Sequence, residues 1–207
     1  SGNFISPEEL LALCRWARSK ATRLIIDESF VDFTDDYEAN SMLRDSILAA
    51  YDNLVVVKSI SKSYGVPGLR LGVVASSDHA LIDSLKHDVA IWNINSFAEY
   101  YMQIYSKYSA DYSCACRQFV AERERFFRKL QQIPFLRVIP SQANYFLAEV
   151  LPPYSSAALS HILLSRHNIL IKDCSAKKGF SAGSYIRLAI RNTADNDKLL
   201  SALNTLL

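Results

Sequence analysis

A short run of residues that follows an apolar segment carries groups able to do covalent chemistry. Lys62 lies among small hydroxyl residues and glycines, shortly after the apolar segment 53–57. A lysine amine in such a place can attack a carbonyl carbon and form a Schiff base. Ser59 precedes this lysine by three residues and Arg70 follows it by eight, and their hydroxyl and guanidinium groups can bind phosphate. The run therefore predicts a site for a carbonyl compound that carries a phosphate.

Pyridoxal phosphate (PLP) carries both of these groups, so the sequence predicts a PLP site. Asp27 extends this prediction, because it directly follows a short apolar run, where open α/β sheets place their ligand sites. A carboxylate opposite the pyridine nitrogen would keep that nitrogen protonated, so that the ring can accept electrons. Ser61 could add a further phosphate contact or could serve only as a turn residue, and the sequence leaves both interpretations open.

The elements that must position these residues follow from the hydrophobic pattern. In the first half of the chain, apolar runs predict three strands, at residues 23–26, 54–57 and 69–75. A helix is predicted between the first two strands, over residues 40–51. Strands that alternate with helices in this way indicate parallel βαβ units.

The second half of the chain predicts a smaller domain of strands and helices. The charged segment 117–129 has apolar residues at helical spacing and predicts a long helix that links two domains. After Pro134, the pattern predicts four strands and two helices, with the strands at 136–139, 144–148, 169–172 and 185–190 and the helices at 157–166 and 194–207. We therefore predict an α/β protein in which residues 1–108 form part of a large parallel-sheet domain. Residues 109–207 would form the linking helix and a small α/β domain.

The composition is that of an ordinary globular protein and argues against several functions. Of the 207 residues, 50% are hydrophobic and 21% are charged, and the net charge of +2 comes from scattered lysines and arginines. We therefore predict no binding of nucleic acid. No apolar run approaches the roughly 20 residues needed to span a bilayer, and no signal-peptide pattern is visible. The four cysteines lack zinc-site spacing, so we expect free thiols, no metal, no membrane association and a cytoplasmic location.

Five motifs occur in an order that resembles the class I/II aminotransferases of fold type I. They are Asp27-Glu-Ser-Phe, Ser59-x-Ser-Lys62, Gly68-Leu-Arg70-x-Gly72, Ser141-x-Ala-Asn144-Tyr-x-Leu and Ile186-Arg187. Within that class, the chain is similar to the group of histidinol-phosphate aminotransferases and threonine-phosphate decarboxylases, over essentially its whole length. The resemblance implies a PLP enzyme with amino acid and keto acid substrates and a homodimeric state. It also implies that Lys62 forms the Schiff base and then shuttles a proton at the substrate Cα.

The same resemblance implies residues that bind the substrate. Arg187 would grip the α-carboxylate with its two-pronged guanidinium, a task that lysine performs poorly. Arg191 could reach a substrate phosphate or could be an ordinary surface charge. Asn144 could line the substrate pocket, although hydrogen bonding at a strand end is the interpretation that we favour. The stretch from Trp92 to Asn95 resembles that of the phosphate decarboxylases, and one of its asparagines could also cap a helix.

The sequence departs from the family pattern in two places. Phe30 stands where the family usually has a tyrosine, whose hydroxyl donates a hydrogen bond to the phenolic oxygen of the cofactor. The first four residues match a segment that lies well inside the chain in the family. The glycine-bearing loop, the aromatic that stacks on the cofactor and the asparagine near its phenolic oxygen would precede that segment. We therefore expect a C-terminal part of a longer enzyme, with exposed apolar sheet surface. By itself, this part should either associate through that surface or be only marginally stable.

Three functions are compatible with this sequence. Transamination of an amino acid is the first, and decarboxylation of a phosphorylated amino acid such as threonine phosphate is the alternative within the same class. The two reactions differ in which Cα bond lies perpendicular to the cofactor ring, which the sequence does not specify. The third possibility is a non-catalytic module used for dimerisation or regulation.

Overall fold

The computed structural model describes residues 2–180 and 183–207, so residue 1 of the first predicted domain lies outside the described residues. The chain divides into two compact units. One unit consists of residues 5–116, and the other consists of residues 117–207 together with residues 2–4. Within the described residues, no helix is both long enough and apolar enough to cross a membrane.

The unit of residues 5–116 is built on a three-stranded sheet. Its strands, in spatial order, are β1 (Leu24–Asp27), β2 (Leu54–Ser59) and β3 (Gly72–Ala75). Its helices are α1 (Pro7–Ser19), α2 (Tyr37–Asn40), α3 (Asp45–Ala50), α4 (Ile60–Ser63), α5 (His79–Asp88) and α6 (Ser96–Tyr105). Cys14 of α1 and Ile47 of α3 are buried in one cluster with Leu54 and Val56 of β2. The core of this unit therefore lies where these helices cover β2.

The direction of β3 corrects the predicted parallel arrangement. β1 and β2 pair in parallel, as predicted, whereas β3 pairs antiparallel with β2. Parallel neighbours need a long crossover, usually a helix that packs across the sheet. Residues 60–71 contain only the one-turn α4 and a 3₁₀ turn, so the chain returns along β2 in the opposite direction.

The predicted helix over residues 40–51 is confirmed only in its second half, as α3, because α2 ends at Asn40 and α3 begins only at Asp45. The cause is the buried carboxylate of Glu28. Its oxygens accept hydrogen bonds from the Ser41 hydroxyl, at 2.7 Å, and from the backbone N–H of Met42. These contacts hold the chain between the two helices in a non-helical conformation, which the local sequence pattern does not reveal.

The second unit contains a four-stranded antiparallel sheet with the order β4-β5-β7-β6. Its strands are β4 (Leu136–Ile139), β5 (Tyr145–Val150), β6 (Lys172–Asp173) and β7 (Tyr185–Ala189), and its helices are α8 (Ser156–His167) and α9 (Thr193–Asn204). The long helix α7 (Ser109–Leu130) begins eight residues before the predicted start, and its residues up to 116 belong to the first unit. The predicted strand at 169–172 is wrong except at its last residue, since β6 covers Lys172–Asp173. Phe126, Leu130 and Phe146 are fully or almost fully buried in the core of this unit.

A polar network fastens the chain after β7 to helices α7 and α9. Glu122 accepts hydrogen bonds from Arg125, from the Thr193 hydroxyl and from the Asn196 side-chain amide. The Arg125 guanidinium is the main reason that the pKa of Glu122 falls to about 2. Asn196 also accepts a hydrogen bond from the backbone N–H of Arg191. The network therefore sets the path of the chain just beyond the strand that carries Arg187.

Candidate functional site

The parallel pairing of β1 and β2 brings two of the predicted residues to the same edge of the sheet. Asp27 ends β1 opposite Val57, and Ser59 ends β2 two residues later. A cleft of about 430 Å³ opens here, and its lining includes Asp27, Ser59, Arg70 and Gly72. The structure therefore brings together the predicted carboxylate, hydroxyl and guanidinium.

Ser29 links the ends of the two strands. Its backbone N–H donates to Asp27 Oδ1 at 2.8 Å, and its hydroxyl oxygen accepts from the backbone N–H of Ser59 at 3.0 Å. The Ser29 side chain is the main cause that lowers the pKa of Asp27, and the Lys62 ammonium acts in the same direction. Asp27 is thus held as a carboxylate at the edge of the cleft.

Lys62 lies in the single turn α4, directly after β2, and its side chain is exposed. Its Nζ lies 4.6 Å from the centre of the Phe30 ring, which is a cation–π distance. The ammonium also acts electrostatically on Asp27. The predicted Schiff-base lysine is therefore accessible, and it lies beside the aromatic that replaces the family's tyrosine.

Arg70 reaches the cleft through an unusual backbone conformation. Its φ of +56° is in the left-handed region, which residues other than glycine seldom adopt. Its Nη1 donates to the carbonyl of Pro67 at 3.3 Å. Two residues later, a Cβ on Gly72 would lie 3.3 Å from the carbonyl oxygen of Lys58, so a side chain there would crowd the neighbouring strand. The turn between α4 and β3 is thus shaped to place a guanidinium beside the end of β2.

Ser61 is buried, and its hydroxyl donates to the carbonyl of Leu71 at 3.3 Å. This hydrogen bond ties α4 to the residues before β3, and it supports the interpretation of Ser61 as a structural residue. A contact between Ser61 and a phosphate stays a prediction.

In the second unit, the exposed Arg187 lies on β7 directly opposite Lys172 of β6. Directly opposed residues of antiparallel strands present their side chains on the same face, so two cations lie side by side. The guanidinium carbon of Arg187 lies 5.1 Å from the centre of the Tyr145 ring. Sequence reasoning identified Arg187 but missed Lys172. A cation at the end of the apolar run 169–172 was the available signal, although strand pairing was needed to interpret it.

Arg191 and Asn144, which are also predicted to bind substrate, each contact another part of the second unit. Arg191 lies beyond the end of β7, where its Nε contacts Asp195 Oδ2 at 2.7 Å. The carbonyl of Asn144 accepts from the backbone N–H of Ile190 at 3.0 Å, just before β5. The substrate roles of Arg191 and Asn144 stay predictions.

Asn95 caps helix α6, as one interpretation of the stretch 92–95 predicted. Its side-chain oxygen accepts from the backbone N–H of Ala98 at 2.9 Å. Its side-chain amide also donates to the carbonyl of Leu69 at 3.0 Å, which links α6 to the turn before Arg70. Trp92 is 90% exposed.

Comparison with known proteins assigns a family to this chain. The family described as "Aminotransferase class I and II" matches residues 1–203. The chain belongs to this family. It is 32% identical over 183 residues to the L-serine phosphate decarboxylase Cj1436c of Campylobacter jejuni, covering 87% of this chain and 46% of that protein. It is 33% identical over 200 residues to the threonine-phosphate decarboxylase of Salmonella typhimurium, covering 96% of this chain and 52% of that protein.

A solved structure confirms the predicted fold of this aminotransferase-family chain. The histidinol-phosphate aminotransferase from Clostridium acetobutylicum matches with a TM-score of 0.88 and 29% identity, over 100% of this chain and 60% of that one. The fold is therefore that of the fold type I PLP enzymes, as the order of the motifs predicted. The chain spans about half the length of the curated relatives described above.

PLP is the cofactor of this family, and the cleft has the groups to hold it. The ionised Asp27 suits a protonated ring nitrogen, while the Ser59 hydroxyl and the Arg70 guanidinium suit a phosphate. The exposed Lys62 amine suits a covalent bond to the cofactor's carbonyl carbon. These four residues are the ones that we expect to hold the cofactor.

Phe30 allows a specific prediction about the imine that Lys62 would form with PLP. Without a phenol donor, the phenolic oxygen of the cofactor is more basic and retains the shared imine proton more strongly. A spectral titration should therefore show deprotonation at a higher pH in the native protein than in a Phe30→Tyr variant. Equal midpoints of the two spectral titrations would contradict the prediction. Phe33→Tyr is the matched control, since Phe33 lies in the same turn.

Sequence reasoning missed the buried ion pair of Lys58, a residue of the strand that precedes Lys62. Lys58 Nζ lies 2.7 Å from Asp32 Oδ1, and the two side chains are 10% and 1% exposed. The available signal was a lysine within the otherwise apolar strand β2, since a buried lysine requires a carboxylate partner. The sequence did not show which of the nearby acidic residues would supply that carboxylate.

Proposed function

We propose that the protein is a PLP enzyme that decarboxylates a phosphorylated amino acid. The observation that carries this proposal is the pairing of Arg187 and Lys172, because two adjacent cations suit a substrate with two anionic groups. Arg187 would bind the α-carboxylate, and Lys172 would bind the phosphate. The names of the Campylobacter and Salmonella relatives support this substrate class. As part of the same proposal, the enzyme is a cytoplasmic homodimer.

In this proposal, each residue of the cleft has a defined task. Bound PLP supplies an electron sink for the electron pair released at Cα. Asp27 keeps a negative charge beside the ring nitrogen, and Ser59 and Arg70 bind the phosphate of the cofactor. When the bond between Cα and the carboxylate carbon breaks, carbon dioxide leaves. Lys62 Nζ then delivers a proton to Cα, so the product is the phosphorylated amine.

Transamination is the second candidate function, and the structural similarity to a histidinol-phosphate aminotransferase favours it. The same residues would serve, but Lys62 would remove the Cα proton and the substrate would keep its carboxylate. The products would be a keto acid, formed from the amino acid donor, and a new amino acid, formed when the keto acid acceptor takes up the amino group.

The products distinguish the two reactions. The full-length protein with PLP should convert O-phospho-L-serine or O-phospho-L-threonine to the phosphorylated amine and carbon dioxide, without a keto acid acceptor. Formation of a keto acid only when 2-oxoglutarate is present would instead support transamination. Absence of both products with these and other amino acids would contradict the enzymatic proposal.

The role of Lys172 gives a prediction of its own. Replacing Lys172 with methionine should raise KM for O-phospho-L-serine about 10- to 100-fold, because a charge-assisted contact to the phosphate is lost. The rate with unphosphorylated serine at equal concentration should change little. Lys198→Met, an exposed lysine of α9, is the matched control. Equal losses with both substrates would contradict phosphate binding by Lys172.

A further inference from the structure

The buried pair of Lys58 and Asp32 takes no part in the chemistry described above. Moving two charges out of water is unfavourable, and their mutual attraction often does no more than offset that cost. Asp32 Oδ2 in addition has no hydrogen-bond partner among the described residues. Stability alone therefore does not account for an ion pair at this position.

Among the described residues, the pair is one of at least three links that fasten the turn after β1 to the end of β2. The links are Glu28 N–H to the Val57 carbonyl at 2.8 Å, Ser59 N–H to Ser29 Oγ at 3.0 Å, and Lys58 Nζ to Asp32 Oδ1 at 2.7 Å. Phe30 lies between the second and the third link. The Lys58–Asp32 pair therefore closes the turn that presents the Phe30 ring.

Lys58 also contacts the segment on the far side of Lys62. Its Nζ lies 5.9 Å from the centre of the Tyr64 ring, at the end of α4. Tyr64 is in turn stacked on Tyr112, with ring centres 4.2 Å apart. The short helix that carries Lys62 is thus bounded by two aromatic side chains, and Lys58 is linked to both sides.

We propose that Lys58 and Asp32 are positioning residues that hold the Phe30 ring against the amine of Lys62. The ion pair fixes the turn of residues 28–32, the turn fixes Phe30, and the ring contacts Nζ at 4.6 Å. The ammonium of Lys62 also acts electrostatically on Asp27 at the end of β1. Since Lys58 and Asp32 neutralise each other, the pair acts on Lys62 through geometry and not through net charge.

The test is the rate at which acetic anhydride acylates Lys62 in the full-length protein without cofactor, measured by mass spectrometry relative to Lys20. The variant Lys58→Met/Asp32→Leu removes the pair without changing the net charge. Its Lys62 should react about two- to fivefold faster, because the ammonium loses a cation–π contact of the usual strength. The single variant Lys58→Arg keeps a cation opposite Asp32 and should therefore react at the native rate. The matched control is Lys86→Met/Asp83→Leu, an exposed pair on α5.

An unchanged rate in the Lys58→Met/Asp32→Leu variant would overturn the proposal. Phe30→Leu should raise the rate by the same factor, and combining it with the double variant should add nothing further. Additive effects would show that the pair does not act through Phe30, and would also overturn the proposal. If the apolar variant does not fold, the neutral variant Lys58→Gln/Asp32→Asn replaces it, with the same criteria. The assay uses no cofactor, so its result is independent of whether the proposed function is correct.

Discussion

Replacing Lys62 with alanine is expected to abolish covalent attachment of PLP and to lower turnover about 10²–10⁴-fold. The variant loses the amine that forms the Schiff base and that carries the proton at Cα. The measurement is borohydride reduction of the full-length protein after incubation with PLP, followed by mass spectrometry of the peptide that contains residue 62. Turnover of O-phospho-L-serine is measured in parallel.

Lys86→Ala is the matched control for this experiment. Lys86 is an exposed lysine of α5, 3.2 Å from Asp83, and its removal should leave the adduct and the turnover unchanged. An adduct that persists at native yield in Lys62→Ala would show that another lysine holds the cofactor. Absence of any adduct in the native full-length protein would contradict the enzymatic proposal as a whole and would favour a non-catalytic module.

Replacing Asp27 with asparagine is expected to lower turnover about 10²–10³-fold. A loss of this size is usual when one preorganised electrostatic contact is removed from an active site. Asparagine has nearly the same shape, and its side-chain oxygen can still accept the hydrogen bond from the Ser29 N–H. It cannot supply a negative charge beside a protonated ring nitrogen. The expected result is therefore a loss of turnover with the borohydride-trapped adduct retained. Asp83→Asn is the control, since Asp83 is an exposed carboxylate of α5.

The pH dependence of the native full-length protein provides a further check on Asp27. Its pKa in the folded protein lies below the ordinary value of 3.8. The contribution of the carboxylate to stability is therefore fully present above that ordinary value, and it is lost as the pH falls through the lower folded value. Asp27 should stay ionised throughout the neutral range. An acidic limb of turnover near neutral pH that disappears in Asp27→Asn would contradict this assignment.

Much of the fold could be predicted from local patterns. The strands β2 and β4, helix α8 and the position of Lys62 just after a buried strand all follow from short apolar runs and their flanking residues. The parallel pairing of β1 and β2 also followed, because the segment between them, residues 28–53, is long enough for a crossover and contains the short helices α2 and α3. These features depend on residues close together in the chain, so a local pattern is sufficient to predict them.

Other features depend on contacts between distant residues and could not be predicted in this way. The break between α2 and α3 arises because Glu28, more than ten residues earlier, binds Ser41 and Met42. The cation pair of Lys172 and Arg187 exists only because β6 and β7 pair in one particular register. In both cases, the deciding interaction joins segments whose proximity no local pattern encodes.

The sequence was sufficient to identify the family and to predict the reactive groups of a PLP site, because Lys62, Asp27, Ser59 and Arg70 lie in short motifs with characteristic spacing. The immediate surroundings of Lys62 required the folded chain. Strand pairing brings Asp27 beside Ser59, the turn after β1 places Phe30 at the amine, and the buried pair of Lys58 and Asp32 closes that turn. The physical reason is that chemical identity belongs to individual residues, whereas orientation and electrostatic environment arise from packing between segments far apart in the chain.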